Sequence, residues 1–245
     1  MRFFNHFMLL GVTLLLLSGC INRQQTSAAE FPHREEMLLK FKNYNELIAM
    51  YRNRLNNDDT PASRLKLSHY YYLAGDYQSS LHYLQPLNRS NDARVDILQV
   101  KNMIALGDYG PALNVADRVL QHQPDSAEAC NLRGVALALT GRLGEGKRSI
   151  EKSRELFIAD EIAINNLAMI EIIAGRYQEA AGLLLPHYLR GKKQSEILHN
   201  LVLSLVKSGQ WRYARNIVES ENLSSDPDGL IDAIAAIAPR AQRAN

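Results

Sequence analysis

The stretch that most invites a chemical reading is Gly141-Arg142-Leu143-Gly144-Glu145-Gly146-Lys147, which has the G-x-x-x-x-G-K spacing of a phosphate-cradling loop. Such a loop works only between a strand and a helix, where backbone N–H groups face the phosphates and a Ser or Thr after the lysine ligates magnesium. Here Arg148 follows the lysine, and Ala136 to Thr140 continues a helical pattern instead of a strand. A nucleotide-binding enzyme using Gly141–Lys147 is therefore disfavoured. The seven histidines include no His-Glu-x-x-His and join no Cys/His cluster of metal-ligand spacing. His187 and His199 read as surface or groove residues. No Gly-x-Ser-x-Gly nucleophile turn occurs. Neither an enzyme, a metal site nor a cofactor is expected.

Charge and cysteine content narrow the classes further. Lys and Arg number 28 against 26 Asp and Glu, with no basic run, so the electrostatic footprint of a nucleic-acid binder is missing. The two cysteines, Cys20 and Cys130, do not make a disulfide framework. Cys130 is expected to pack as a small apolar residue.

Residues 1–19 have a basic start at Arg2 and an apolar run from Phe7 to Leu17. That run is well short of the ~20 residues needed to span a bilayer and fits a secretory signal peptide. Leu17-Ser18-Gly19-Cys20 resembles the lipobox of bacterial lipoproteins, which implies lipidation at Cys20 and a new N-terminus there. Several acyl chains, at about 0.8 kcal/mol per buried CH₂, would hold the protein to a membrane. By the sorting rule this resemblance brings, Ile21 after the cysteine implies the outer membrane, with the protein facing the periplasm. Residues 20–32 then read as the lipidated cysteine and a flexible polar tether.

The remainder is organised by a repeating phrase. Gly75-Asp76-Tyr77, Gly107-Asp108-Tyr109, Gly141-Arg142-Leu143, Gly175-Arg176-Tyr177 and Gly209-Gln210-Trp211 follow one another at spacings of 32, 34, 34 and 34. That period, with an apolar helix before each glycine and a second helix after it, is that of the tetratricopeptide repeat (TPR). The aromatic two residues on (Tyr77, Tyr109, Tyr177, Trp211) is placed to fill the gap between the paired helices. The small residue five after the glycine (Ser80, Ala112, Gly146, Ala180, Ala214) lets those helices approach. Pro124-Asp125-Ser126 stops one repeat and caps the next. Arg133 stands where the repeat consensus has leucine.

The expected fold is all-α, a TPR superhelix of antiparallel helix pairs with a C-terminal capping helix. Residues 33–221 form the array, with five clear repeats after a degenerate unit that lacks its turn glycine. Residues 222–245 supply the capping helix, with Leu230, Ile231, Ile234 and Ile237 on one stripe, and a polar tail.

First helices line the inner face of such a stack. Counted from the turn glycines, their inward positions carry Leu65, His69, Tyr72, Arg94, Ile97, Lys101, Glu128, Asn131, Val135, Asn165, Met169, Ile172, His199 and Leu203. The mixture is apolar with amides and few charges, without the basic ladder by which some proteins of this kind clamp a C-terminal carboxylate. It suits a groove that reads a hydrophobic helix or an extended segment of a protein partner.

With the lipobox and tether, the repeats containing Asn165-Asn166-Leu167-Ala168 and Gly175-Arg176-Tyr177-Gln178-Glu179-Ala180 resemble the TadD family, the TPR lipoproteins of the tight-adherence (Flp pilus) assembly system. The resemblance implies a scaffold for protein–protein interactions at the outer membrane, with pilotin-like support of secretin assembly. A scaffold for other envelope machinery (outer-membrane, cell-wall or secretion complexes) is the alternative.

Overall fold

The computed structural model describes residues 30–237; the expected signal peptide, the expected lipidation at Cys20, the expected tether through Ala29 and the tail from Ala238 lie outside the described residues. Within them are thirteen α-helices and one 3₁₀ turn, with no strand. The chain divides into two compact units that part between Leu47 and Ile48.

The first unit holds α1 (Glu30–Lys40) and the opening turn of α2 (Tyr44–Asn57). Helix is already established at Glu30, so the tether expected to reach residue 32 ends sooner. The missing turn glycine is replaced by Lys42, held at φ 53 while its N–H and that of Asn43 bond back to the carbonyls of Leu39 and Leu38. Asn43 caps α2 by accepting the Glu46 N–H at 3.2 Å, and Arg34 pairs with Glu46 across the turn.

The second unit is a run of helix pairs. They are α3 (Pro61–Leu73) with α4 (Tyr77–Leu84), α5 (Ala93–Leu106) with α6 (Tyr109–His122), and α7 (Ala127–Leu139) with α8 (Leu143–Glu155). Next come α9 (Asp160–Ile173) with α10 (Tyr177–Leu189), α11 (Ser195–Lys207) with α12 (Trp211–Ser220), and then α13 (Pro227–Ala236) alone. The expected all-helical repeat fold is what the chain adopts.

Each turn glycine closes its first helix in the same way. At Gly175, φ is 75, a left-handed conformation that a Cβ would resist. Its N–H bonds to the Ile172 carbonyl, and the Arg176 N–H to that of Glu171, satisfying two of the carbonyls a helix end leaves open. The residue five after each glycine is buried, as expected. The aromatic position is less uniform. Tyr77, Tyr109 and Tyr177 are half-buried, but Trp211 does not fill the gap: it is 59% exposed, its indole N–H donating to the Val206 carbonyl at 3.0 Å.

Three corners between repeats use the same closure, at Phe157, Gly191 and Asn222. Glycine or asparagine suits that position; phenylalanine does not. Phe157 is held at φ 65 and is 92% exposed, so it buries almost nothing in return for the strain. Phe157→Gly is expected to raise stability by about 1 kcal/mol, read as a higher denaturant midpoint at unchanged slope.

Between repeats, each first helix touches the first helix of the next: α3 with α5, α5 with α7, α7 with α9 and α9 with α11. This is the contact that builds a continuous face from first helices. Helix α13 repeats the pattern by packing on α11 and α12. It is capped by Asp226, which accepts the Gly229 N–H at 3.0 Å, and Lys207 donates to the Ala235 carbonyl at its far end, also at 3.0 Å. Where α11 buries Leu201 and Val202, α13 has exposed Ala235 and Ala236 one period later. The stripe that would receive another second helix is reduced to alanine there.

Candidate partner-binding face

The first-helix face is set by position relative to the turn glycine. Ten residues before it stand Leu65, Ile97, Asn131, Asn165 and His199; six before it stand His69, Lys101, Val135, Met169 and Leu203. Of the fourteen groove candidates, only Ile97 and Asn131 are buried. Leu65, Tyr72, Lys101, Val135, Asn165, Met169, Ile172 and Leu203 are half-buried, and His69, Arg94, Glu128 and His199 are exposed. Apart from Ile97, the apolar members thus keep part of their surface outside the core.

From the second of these glycines on, the residue nine before it reaches back to the preceding repeat, and the chemistry of that contact changes along the array. Between α3, α5 and α7 it is apolar: Leu98 and Leu65 share one hydrophobic cluster, and Leu132 and Ile97 another. Between α7, α9 and α11 it is amide to amide. Asn166 donates to the Asn131 side-chain oxygen at 2.8 Å, and Asn200 donates to that of Asn165 at 2.8 Å. Each such pair uses one N–H and one oxygen, leaving one amide oxygen and further N–H donors for another group. Asn166 and Asn200 were not among the groove candidates. Their signal was visible as asparagine repeating at the period, one residue after Asn131 and Asn165.

The N-terminal end of the face opens into a cavity of about 530 Å³ between α3, α5 and the start of α7. It collects six of the candidates, Leu65, His69, Arg94, Ile97, Lys101 and Glu128, together with Lys66. Lys101 and Glu128 pair at 2.5 Å across consecutive repeats. His69 is stacked near Tyr72, ring centroids 6.5 Å apart, and Tyr72 leans on Tyr77 at 5.7 Å. Although His69 keeps an exposed edge, partial desolvation against the cavity wall, then the charges of Lys101 and Lys66, holds its imidazole below the ordinary pKa. Burial likewise raises the Tyr72 phenol.

Other sequence candidates resolve as structural. In the phosphate-loop lookalike, Gly141 (φ 87) is a helix-closing turn and Leu143 to Lys147 is the first part of α8. Lys147 lies 3.4 Å from Glu171, whose side chain is only 7% exposed and is also held by Arg176 at 2.5 Å. Cys130 is buried, and burial raises its thiol pKa against the opposing charges of Arg133 and Lys152. Arg133 replaces a buried leucine by reaching Asp117 at 2.6 Å. His187, read from sequence as a surface or groove residue, is instead buried, 3.6 Å from Asp160.

Glu171 yields a pH prediction. Burial alone would raise its carboxyl pKa, but the hydrogen bonds and charges of Arg176 and Lys147 outweigh this and depress it. A depressed folded-state pKa gives stability that is full above the ordinary glutamate range and lost as pH falls through the folded value. Lowering pH from about 5 towards 3 should therefore cost wild type more stability than it costs Glu171→Gln. Parallel denaturant titrations of the two proteins check it.

Comparison with known proteins agrees with this architecture. The profile described as Psidin, N-terminal TPR repeats region, matches residues 99–218. No curated protein matches the sequence. Among solved structures, a TPR protein of Thermus thermophilus is similar at 18% identity and a TM-score of 0.63, covering 73% of this chain and 100% of its own. A tetratricopeptide repeat protein of Parabacteroides merdae is similar at 14% identity and 0.60, covering 84% and 83%. MamA of Desulfovibrio magneticus is similar at 16% and 0.53, covering 68% and 96%. At these identities the likeness is one of fold.

Proposed function

Proceeding from a chain that is a tetratricopeptide-repeat protein, we propose that it is a non-catalytic scaffold whose first-helix face holds an extended segment of another protein. The observation that carries this is the pair of asparagine bridges, Asn166 to Asn131 and Asn200 to Asn165, one repeat apart along the same face. Their remaining N–H groups and oxygens match what a peptide backbone needs, a donor and an acceptor at each residue. Half-buried Val135, Met169 and Leu203 beside them offer apolar contact for alternate side chains.

The N-terminal sequence supports a location for this scaffold. Leu17-Ser18-Gly19-Cys20 after an apolar run supports lipidation at Cys20, and Ile21 supports outer-membrane sorting with the repeats facing the periplasm. The resemblance to the tight-adherence lipoproteins supports a role in Flp pilus biogenesis, with the secretin or another assembly component as the partner.

Two experiments test these levels separately. Cys20→Ala is expected to move the protein from the membrane fraction to the soluble one with its helical spectrum unchanged. Retention in the membrane would remove the lipid anchor from the account. In a deletion strain, secretin multimers are expected to fall in amount or lose their place in the outer membrane. Multimers unchanged in both respects would assign the scaffold to another envelope assembly.

A further inference from the structure

We propose that the face carrying the asparagine bridges takes a proline-rich segment of a partner protein in the polyproline II conformation, with an apolar residue at every third position. This rests on the docking reading above and sharpens it from an extended segment to one conformation and one register. The first observation is spacing. Cα atoms of α7 and α9, and of α9 and α11, come within 8 Å of each other, and packed helix axes lie about 8–10 Å apart. A polyproline II helix turns once in three residues, so every third side chain returns to the same side after about 9.3 Å. A β-strand that advances three residues per repeat turns successive side chains to opposite faces. Val135, Met169 and Leu203 hold one position in successive first helices, and all three are half-buried. Met169 and Leu203 stand apart from the continuous core that takes in Ala168, Ile170 and Val202 beside them.

Hydrogen bonding supplies a second, independent observation. Asn131 is only 5% exposed, and its side-chain oxygen accepts from Asn166 while its own N–H groups meet no protein acceptor. Among the described residues, the sealed side-chain polar atoms without a partner belong to Gln99 and Asn102, so the Asn131 amide nitrogen opens to the face. The bridge keeps three N–H groups (two on Asn131, one on Asn166) against one untouched oxygen, that of Asn166. Asn165 and Asn200 keep the same set one repeat on. Donors outnumber acceptors, which suits proline, a residue with a carbonyl and no N–H. A polyproline II chain also leaves its carbonyls free of internal bonds. The chain's own ends do not supply such a segment: residues 21–29 contain no proline and residues 238–245 a single one.

The test titrates the full-length chain with three blocked nonapeptides and measures heat of binding. One repeats leucine-proline-proline, one repeats leucine-glycine-glycine, and one alternates leucine with serine. The proline peptide is expected to bind about tenfold or more tighter than the glycine peptide, which has the same register without the preset conformation. It should exceed the alternating peptide by a similar factor. Asn131→Leu combined with Asn166→Leu copies the apolar cluster that α5 and α7 share through Ile97 and Leu132. This double variant should keep the helical spectrum and bind the proline peptide about tenfold more weakly. Equal or tighter binding of the glycine or alternating peptide, lost in the double variant, would overturn the polyproline conformation and leave the docking face standing. Affinity unmoved by the double variant, or binding of none of the three, would overturn the proposal and count against the docking face as well.

Discussion

Gly146→Ala is expected to destabilise the protein by about 3 kcal/mol, although alanine is the better helix former by about 1 kcal/mol. Gly146 in α8 faces Gly134 in α7, and neither position has room for a Cβ. One added at Gly146 would sit 2.7 Å from the Gly134 carbonyl oxygen and 3.1 Å from the Ala138 nitrogen; one added at Gly134 would sit 2.8 Å from the Gly146 oxygen. These neighbours are backbone atoms of two packed helices, so relief requires the helices to part. The α7–α8 contact is the most extensive helix pairing among the described residues, which is what parting them would forfeit. Gly182 in α10 is the control. It is a helical glycine with nothing within 4 Å of an added Cβ, so Gly182→Ala should stabilise by about 1 kcal/mol. Chemical denaturation of both variants checks the pair; a stable Gly146→Ala would mean that the two helices do not approach as described.

The same glycine shows how the sequence could mislead. Gly146 completes a phosphate-loop spacing only because the turn glycine and the small crossing residue lie five residues apart in every repeat; here that small residue is glycine and a lysine follows it. The register of the array was legible because turn glycines and small crossing residues are demanded by backbone geometry, which leaves little choice of residue. The face was legible in part. Asn131 and Asn165 fall on the inward stripe, but their partners Asn166 and Asn200 lie one residue aside and matter only because consecutive first helices touch. Lys66 was missed for the same reason. It occupies the position of Asn166 and Asn200, off the stripe within its own helix, and joins the face through the neighbouring repeat. His187 and Trp211 depended on tertiary neighbours that no local pattern specifies. Phe157 had no signal at all, because its left-handed position is one where glycine or asparagine would have been expected.

Packing also divides the array unevenly. From Ala138 to Ile231 one continuous cluster joins the buried residues of successive helices, whereas those around α4, α5 and α6 fall into smaller clusters. Part of the reason is α4, only 8 residues long where the other second helices have 10 to 14. The glycine spacing of 32 at this repeat is its trace in the sequence. Gln99 adds to it by standing where Leu67, Leu167 and Leu201 are buried in their own repeats. The cavity between α3, α5 and α7 therefore sits where the buried residues form several smaller clusters, and the asparagine bridges beside the continuous one.

That division gives the second large prediction. Leu201 is fully buried in the continuous cluster, so Leu201→Ala should cost about 2–5 kcal/mol through lost contacts and the cavity left behind. In a stacked array stability is close to a sum of repeat and neighbour terms, so the loss should be local. Hydrogen exchange should speed most in α9 to α13, which touch or adjoin α11, while α3 to α6 keep the protection they had. The Asn200–Asn165 bridge lies one residue before Leu201 in the same helix and should loosen with it, weakening peptide contact at that end and sparing the cavity between α3, α5 and α7. A uniform rise in exchange across all helices would instead show that the array unfolds as one unit. In that case the two ends of the face could not behave as separable parts.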